Sequence, residues 1–227
     1  MEERGLHGDH PGLQRSGDQI TKTFTWTRQG KSMTPERRQA VLTAAADAFS
    51  QYGFKKASLS DIARAADVSK TAIYLVASSK ADLYFEILQD RITSCTAQVG
   101  QAIRVDVPAD QQLPAALQME LSHLHNDPLI RALLLDRTQA RTPAWRTRFE
   151  ELRRLGRSTT TRLIELGIRQ GRFRADLDAD AVSALLQDLQ VASLLLTDDG
   201  GDIAQPRWQT TLTLILDGLK VRPVEGK

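Results

Sequence analysis

Residues 58–80, SLSDIARAADVSKTAIYLVASSK, decide how the chain is read. Ser58 is placed to cap a helix, and Asp61, three residues on, completes a capping box. Leu59, Ile62, Ala63 and Ala66 recur at helical spacing and form one apolar face. Asp67-Val68-Ser69 interrupts that pattern. Asp tolerates the irregular backbone of a turn, Val68 can tuck into the angle between two helices, and Ser69 can cap a second helix. That second helix buries Ile73, Val76 and Ala77 and leaves Lys70, Thr71, Ala72, Tyr74 and Leu75 facing outward. A short helix with so little apolar surface contributes little to holding a fold. Two helices around a brief turn, the second short and outward, match the unit that sets its second helix into the major groove of DNA.

The flanks sharpen this reading. With AVLTAAADAFSQYGF before it, KTAIY within it and SSKADL after it, the segment 38–83 resembles the DNA-binding domain of the tetracycline-repressor (TetR) family of bacterial regulators. The close resemblance covers about a fifth of the chain, and the remainder matches in length and helical pattern. Two positions depart from the family pattern, Asp67 where glycine is usual and Ala77 where an aromatic is frequent. The resemblance implies an all-α fold, with an N-terminal three-helix helix-turn-helix domain and a larger C-terminal helical domain for ligand binding and dimerisation. The expected divisions are an arm over 1–32, a DNA-binding domain over 33–79 and a regulatory body over 80–227.

Charge supports this polarity. The net charge is +2 over 227 residues. The window 31–80 holds eight basic and four acidic residues, so the rest of the chain sums to −2. A basic module on a mildly acidic body suits phosphate contact at one end. Cys95 is the only cysteine, so no intrachain disulfide can form. No apolar run is long enough to cross a bilayer, and the N-terminus lacks the apolar core of a signal peptide, so a cytoplasmic location without membrane contact is expected.

The first 32 residues are polar, Gly-rich and without period, and read as a disordered arm. His7 and His10 lie in it and carry no metal signature. Arg15, Lys22, Arg28 and Lys31 could add DNA contacts, with Phe24 and Trp26 fastening the arm. Thr34-Pro35-Glu36 starts the first helix, which places Val41, Ala45, Ala48, Phe49 and Tyr52 on one face and stops at Gly53. Ser79-Lys80-Ala81-Asp82 is a second capping box. The helix it opens places Leu83, Ile87, Arg91, Ser94, Cys95 and Gln98 along one side and ends before Pro108. Further helices are expected from Leu113 to Asp136 with a break at 126–128, from Pro143 to Gln170, from Asp178 to Thr197 and from Gln205 to Leu219. His123 and His125, two apart on a helix, diverge and do not share a metal.

On DNA, base contacts are expected from Lys70, Thr71, Ala72 and Leu75, and phosphate contacts from Lys55, Lys56, Lys80 and the Tyr74 hydroxyl. A packing role for Tyr74 stays equally open. The resemblance implies a palindromic double-stranded DNA operator, a homodimer and an unknown small-molecule effector that moves the helix after Ser79; repression is expected, with activation, which would use the same DNA contact, left open. Cys95, Met119, His123, Trp145 and Phe149 are candidate pocket residues, each with plain core as the alternative. Leu185, Leu189, Ala192, Leu196, Trp208, Leu212, Ile215 and Leu219 form apolar stripes read either as core or as the dimer face. No phosphate loop, nucleophile elbow or metal spacing is present, so neither an enzyme nor a cofactor is expected. The competing reading is a helical module that contacts protein rather than DNA.

Overall fold

The computed structural model describes residues 33–135, 142–197 and 204–221, without the side chains of 135, 195–197 and 204–205. The arm over 1–32, its histidines and basic residues, the 198–201 loop and the Leu196 side chain lie outside the described set. The helices are α1 Pro35–Lys56, α2 Leu59–Ala65, α3 Lys70–Ile73, α4 Lys80–Ala102, α5 Ala109–Asn126, α6 Pro128–Leu135, α7 Pro143–Arg169, α8 Ala179–Thr197 and α9 Ala204–Leu219. The all-α expectation holds. The one extended pairing among the described residues is an isolated bridge between Phe173 and Lys220.

Two apolar cores form. The first gathers Val41, Ala45 and Phe49 of α1, Ile62 of α2, Ile73 of α3 and Leu83, Ile87 and Leu88 of α4. Leu129 and Ile130 of α6 and Leu152 of α7 belong to this same core, which therefore extends beyond the helix-turn-helix. The second holds Val99, Leu113, Leu117, Leu163, Ile164, Phe173, Leu186, Trp208 and Leu212. α7 packs against α4, α5 and α8 and is the central strut of the body.

The local signals in 58–80 form much as their chemistry dictates. Ser58 Oγ accepts from Ser60 N at 3.2 Å, and Ser69 Oγ accepts from Ala72 N at 3.2 Å. Asp61, expected to complete a box, pairs with Arg64 at 3.0 Å. α2 ends with Asp67 N donating to Arg64 O at 3.3 Å and Val68 N to Ala63 O at 3.0 Å. This pair of bonds is the Schellman arrangement, which needs a left-handed residue between its two donors. Asp67 takes that place at φ 51°, the one non-glycine residue of positive φ among those described. The family's preference for glycine at this position now has a backbone cause. Asp67→Gly is expected to raise stability by about 0.5–1 kcal/mol, and Asp67→Val to lower it by about 1–2 kcal/mol. Chemical denaturation of both variants checks this.

Several expectations need correction. Tyr52, assigned to the inner face of α1, is exposed, while Leu42 and Ala46 are buried there instead. Ser94 and Gln98 of α4 are exposed, and its buried face runs through Tyr84, Phe85, Leu88, Thr96 and Val99. α5 starts at Ala109 rather than Leu113, because its first amide is capped from afar: Ala109 N donates to Gln170 Oε1 at 2.8 Å. Trp208, Leu212 and Leu219 are buried in the protomer's own second core, so this chain already covers the α9 stripe assigned to a dimer face. Ile215 and Leu189 are half-buried against the same core.

Candidate nucleic-acid interface and body cavity

The outward surface of α3 is built by one anchor. Ile73, 1% exposed, fixes the helix to the first core, with Ala77 buried behind it. Lys70 and Thr71 are exposed, Ala72 is half-buried, and Tyr74 and Leu75 are 50% and 46% exposed. α3 itself is four residues long. It is prolonged by bonds three residues apart, Leu75 N to Ala72 O at 3.0 Å and Val76 N to Ile73 O at 2.9 Å, which tighten the turn. Five side chains thus stand along one edge with two exposed apolar groups, Tyr74 and Leu75, among them.

The basic residues around this edge divide by task. Lys55 and Lys56 are exposed at the end of α1, beyond the kink at Gly53. Lys80, expected on phosphate, is turned inward. Its Nζ donates to Lys55 O at 3.1 Å and Ala57 O at 2.9 Å, and lies 4.8 Å from the Phe54 ring centroid. Lys80 therefore holds the loop that presents Lys55 and Lys56. The start of α4, another candidate for phosphate, is closed by its own side chains: Ser79 Oγ accepts from Asp82 N at 3.0 Å and donates to the Asp82 carboxylate at 2.8 Å. Bonds from Ser78, then Ser79 and the Arg148 guanidinium, hold the Asp82 carboxyl below its ordinary range. A fixed negative charge there disfavours an incoming phosphate.

Body and helix-turn-helix meet through aromatic side chains. Trp145 of α7 stands 5.2 Å from Phe54 and 4.6 Å from Phe85, ring centre to ring centre. Tyr84 bridges Phe49 at 5.0 Å and Phe54 at 5.1 Å. Arg148, one turn along α7, pairs with Asp82 and lies over Phe85 at 4.7 Å. Arg38 of α1 pairs with Glu86 of α4.

Inside the body a cavity of about 60 Å³ is lined by α4, α5, α6, α7 and α8. Cys95, His123 and Phe149 of the five candidate pocket residues reach it. Trp145 instead belongs to the aromatic junction, and Met119 packs against the second core. Burial, with the charges of Glu120 and Asp127, pushes the Cys95 thiol up to about 11, which keeps it protonated. The sequence reading missed Glu120, which lines the cavity at 7% exposure. Its carboxylate accepts from Thr160 Oγ1 at 2.7 Å and from Gln190 Nε2 at 3.3 Å. Burial outweighs these two bonds and pushes its pKa up to about 7. The signal was available only as an acid among apolar residues on one helix, with partners 40 and 70 residues away. Among the described residues no group of three or more His, Cys, Asp or Glu is arranged to hold a metal, and no helix is long and apolar enough to cross a membrane.

Comparison with known proteins agrees with this geometry. The family described as "Bacterial regulatory proteins, tetR family" matches residues 41–87. The chain is 35% identical to the HTH-type transcriptional activator FasR of Mycolicibacterium smegmatis over 92 residues, which is 40% of this chain and 42% of that one. It is 23% identical to the HTH-type transcriptional repressor KstR2 of the same organism over 190 residues, 83% of this chain and 93% of that one. The crystal structure of FadR from Bacillus subtilis in complex with stearoyl-CoA is similar in fold, with a TM-score of 0.67 at 18% identity, over 80% of this chain and 98% of that one. The matched segment 41–87 contains the whole of α2 and α3 and the outward edge from Lys70 to Leu75. With that edge and this match together, residues 41–87 carry the helix-turn-helix of the TetR family of bacterial regulators, and the chain is similar over most of its length to DNA-binding transcriptional regulators.

Proposed function

We propose that this regulator is an effector-responsive repressor that binds a palindromic operator as a homodimer. The observation that carries the DNA reading is the α3 edge: Ile73 is the buried anchor, and Lys70, Thr71, Tyr74 and Leu75 around it are exposed. Lys70 donates to a guanine edge, Thr71 contacts a base edge or a thymine methyl, and Ala72 and Leu75 contribute apolar contact. Lys55, Lys56 and the Tyr74 hydroxyl meet phosphate, and Lys80 sets the height of that loop. Lys70→Ala is expected to lose about tenfold in affinity on the cognate operator and little on scrambled duplex. Lys56→Ala is expected to weaken both equally and to reduce the salt slope by about one. Titrations on both duplexes at several salt concentrations check this, and equal losses for Lys70→Ala on every sequence would refute its reading role.

In this reading 33–79 serves as the DNA-binding head and 80–227 as the regulatory body. Ile130 and Leu152 line the body cavity and also belong to the head's core. The turns of α7 that hold Phe149 and Leu152 at the cavity carry Trp145 and Arg148 onto Phe54, Phe85 and Asp82. Ligand pockets usually hold about 300 Å³ or more, so occupying a cavity of about 60 Å³ displaces α6 or α7 and with them the head. An effector that favours the displaced arrangement releases DNA by that difference in affinity. KstR2 is named a repressor, and FadR was solved with stearoyl-CoA, which supports a repressor whose effector carries an apolar chain.

The dimer face is re-placed on the outer sides of the last two helices. Leu185 of α8 is 53% exposed, Leu214 of α9 is 69% exposed, and Ala192 is exposed on the same helix as Leu185. Among the described residues these apolar groups stay exposed, whereas the stripe through Trp208 is buried. Leu185→Glu with Leu214→Glu is expected to give a folded monomer by sedimentation, while Leu212→Glu is expected to unfold the protein.

A further inference from the structure

We infer that the body cavity takes an apolar molecule bearing a protonated amine, with Glu120 as the group that receives the cation. This rests on the reading that the cavity admits an effector.

The walls set the apolar part. Ile92, Leu124, Ile130, Leu133, Phe149 and Leu152 surround the space. Glu120 is the buried acid among them, 7% exposed, and its oxygens are held by single donors, Thr160 on one and Gln190 on the other. A carboxylate has about four acceptor positions, so each oxygen keeps capacity for a further donor. Glu120 and Gln190 also line a second space of about 10 Å³ beside the first, so the acid stands where the two would merge on expansion.

The cations nearby already have partners. Arg153 donates to Gln187 Oε1 at 3.1 Å and pairs with Asp188. Arg157 pairs with Asp180 at 3.1 Å and with Glu150 at 3.4 Å. A ligand carboxylate in this cavity would have to take Arg153 from Asp188 and would lie close to Glu120. An ammonium instead meets a carboxylate that burial has left short of solvation, where charge pairing is strongest. Glu120 is faced by Thr160 and Gln190, and Cys95 and His123 lie along the same cavity. The thiol is protonated there, whereas burial brings the Glu120 carboxyl to about 7. Binding a cation stabilises the ionised carboxylate, so it releases a proton from Glu120 when the pH lies below about 7.

Decylammonium, 1-decanol and decanoate, each below its micelle concentration, test the assignment by calorimetry on the full chain. Measurements at pH 6 and pH 8, in two buffers of different ionisation enthalpy, report affinity and proton release. Decylammonium is expected to bind at least about tenfold more tightly than decanoate, and up to about tenfold more tightly at pH 8 than at pH 6. Glu120→Gln is expected to abolish the amine preference, its proton release and its pH dependence, while decanol affinity stays within about threefold. A melting curve of the variant confirms that it is folded. Decanoate binding as well as the amine, or an amine preference that survives Glu120→Gln, would overturn the ligand class and leave the cavity reading standing. Failure of all three to bind would overturn both.

Discussion

Glu120→Gln is expected to stabilise the protein by about 3 kcal/mol at pH 8 relative to its effect at pH 4. The carboxyl is raised from its ordinary 4.5 to about 7 in the fold, with burial as the largest cause. A raised folded-state pKa means that the native chain holds its proton more tightly than the unfolded one. The stability associated with that proton is fully present below about 4.5 and is lost as pH rises through about 7. Each pH unit between those two values is worth about 1.4 kcal/mol, which gives the figure of about 3 kcal/mol. Gln carries no charge to desolvate, and its carbonyl still accepts from Thr160 or Gln190. For a chain of this length the difference corresponds to roughly 6–12 °C in Tm at pH 8. Thermal melts of both proteins across pH 4–8 check the sign, and the difference between the two curves isolates Glu120 from every other titrating group. Parallel curves would show that the carboxyl is solvated in the native state.

Gly167→Ala is expected to destabilise the protein by about 3 kcal/mol. A Cβ at Gly167 would stand 2.1 Å from Phe173 Cδ2 and 2.4 Å from its Cε2. The close approach comes from how α7 ends. Arg172 N donates to Gly167 O at 2.9 Å and Gly171 N to Ile168 O at 3.0 Å, with Gly171 at φ 66°. These bonds swing the chain back over the last turn of α7 and press the Phe173 ring onto the bare Cα of residue 167. Phe173 is 1% exposed, and its neighbour Arg174 donates to Leu219 O at 3.0 Å, so the ring has nowhere to retreat. Overpacking at such a site costs about 1–3 kcal/mol or somewhat more. Phe173→Leu alone leaves a void and also destabilises. In the Gly167→Ala background it removes the clash, so the double variant is expected to be more stable than the sum of the single losses allows. Denaturation of the four-protein cycle measures that coupling, and strict additivity would show that the ring moves aside freely.

The segment 58–80 was legible because its determinants are local. Ser69 caps the helix it precedes, Ile73 anchors it, and Asp67 turns the chain, each acting within a few residues of its own position. The alternation of inward and outward groups then fixes the exposed edge. Elsewhere the determining partners are remote. Ala109 opens α5 with its amide donating to Gln170, 61 residues away, a partner that no local pattern reveals. Apolar spacing showed that α9 has a stripe through Trp208, Leu212 and Leu219 but was silent on which surface covers it. Trp145 had the composition of a pocket residue, yet α7 delivers it to Phe54 and Phe85. Lys80 had the charge of a phosphate ligand, yet two carbonyls of the preceding loop lie within reach of it. Periodicity identifies a face, and only the packing of distant elements assigns its neighbour.

The sharing of Leu129, Ile130 and Leu152 with the head bears on how such regulators can be recombined. A fragment ending at the close of the matched segment would leave the Phe54, Tyr84 and Phe85 rings without Trp145 and without the aliphatic floor from α6 and α7. Residues 33–79 and the body of this chain are therefore not freely interchangeable with those of another regulator. A chimaera that joins a foreign reading head to this body at the start of α4 inherits a mismatched seam, and transplanting a new operator preference is better done by exchanging the outward residues of α3 alone.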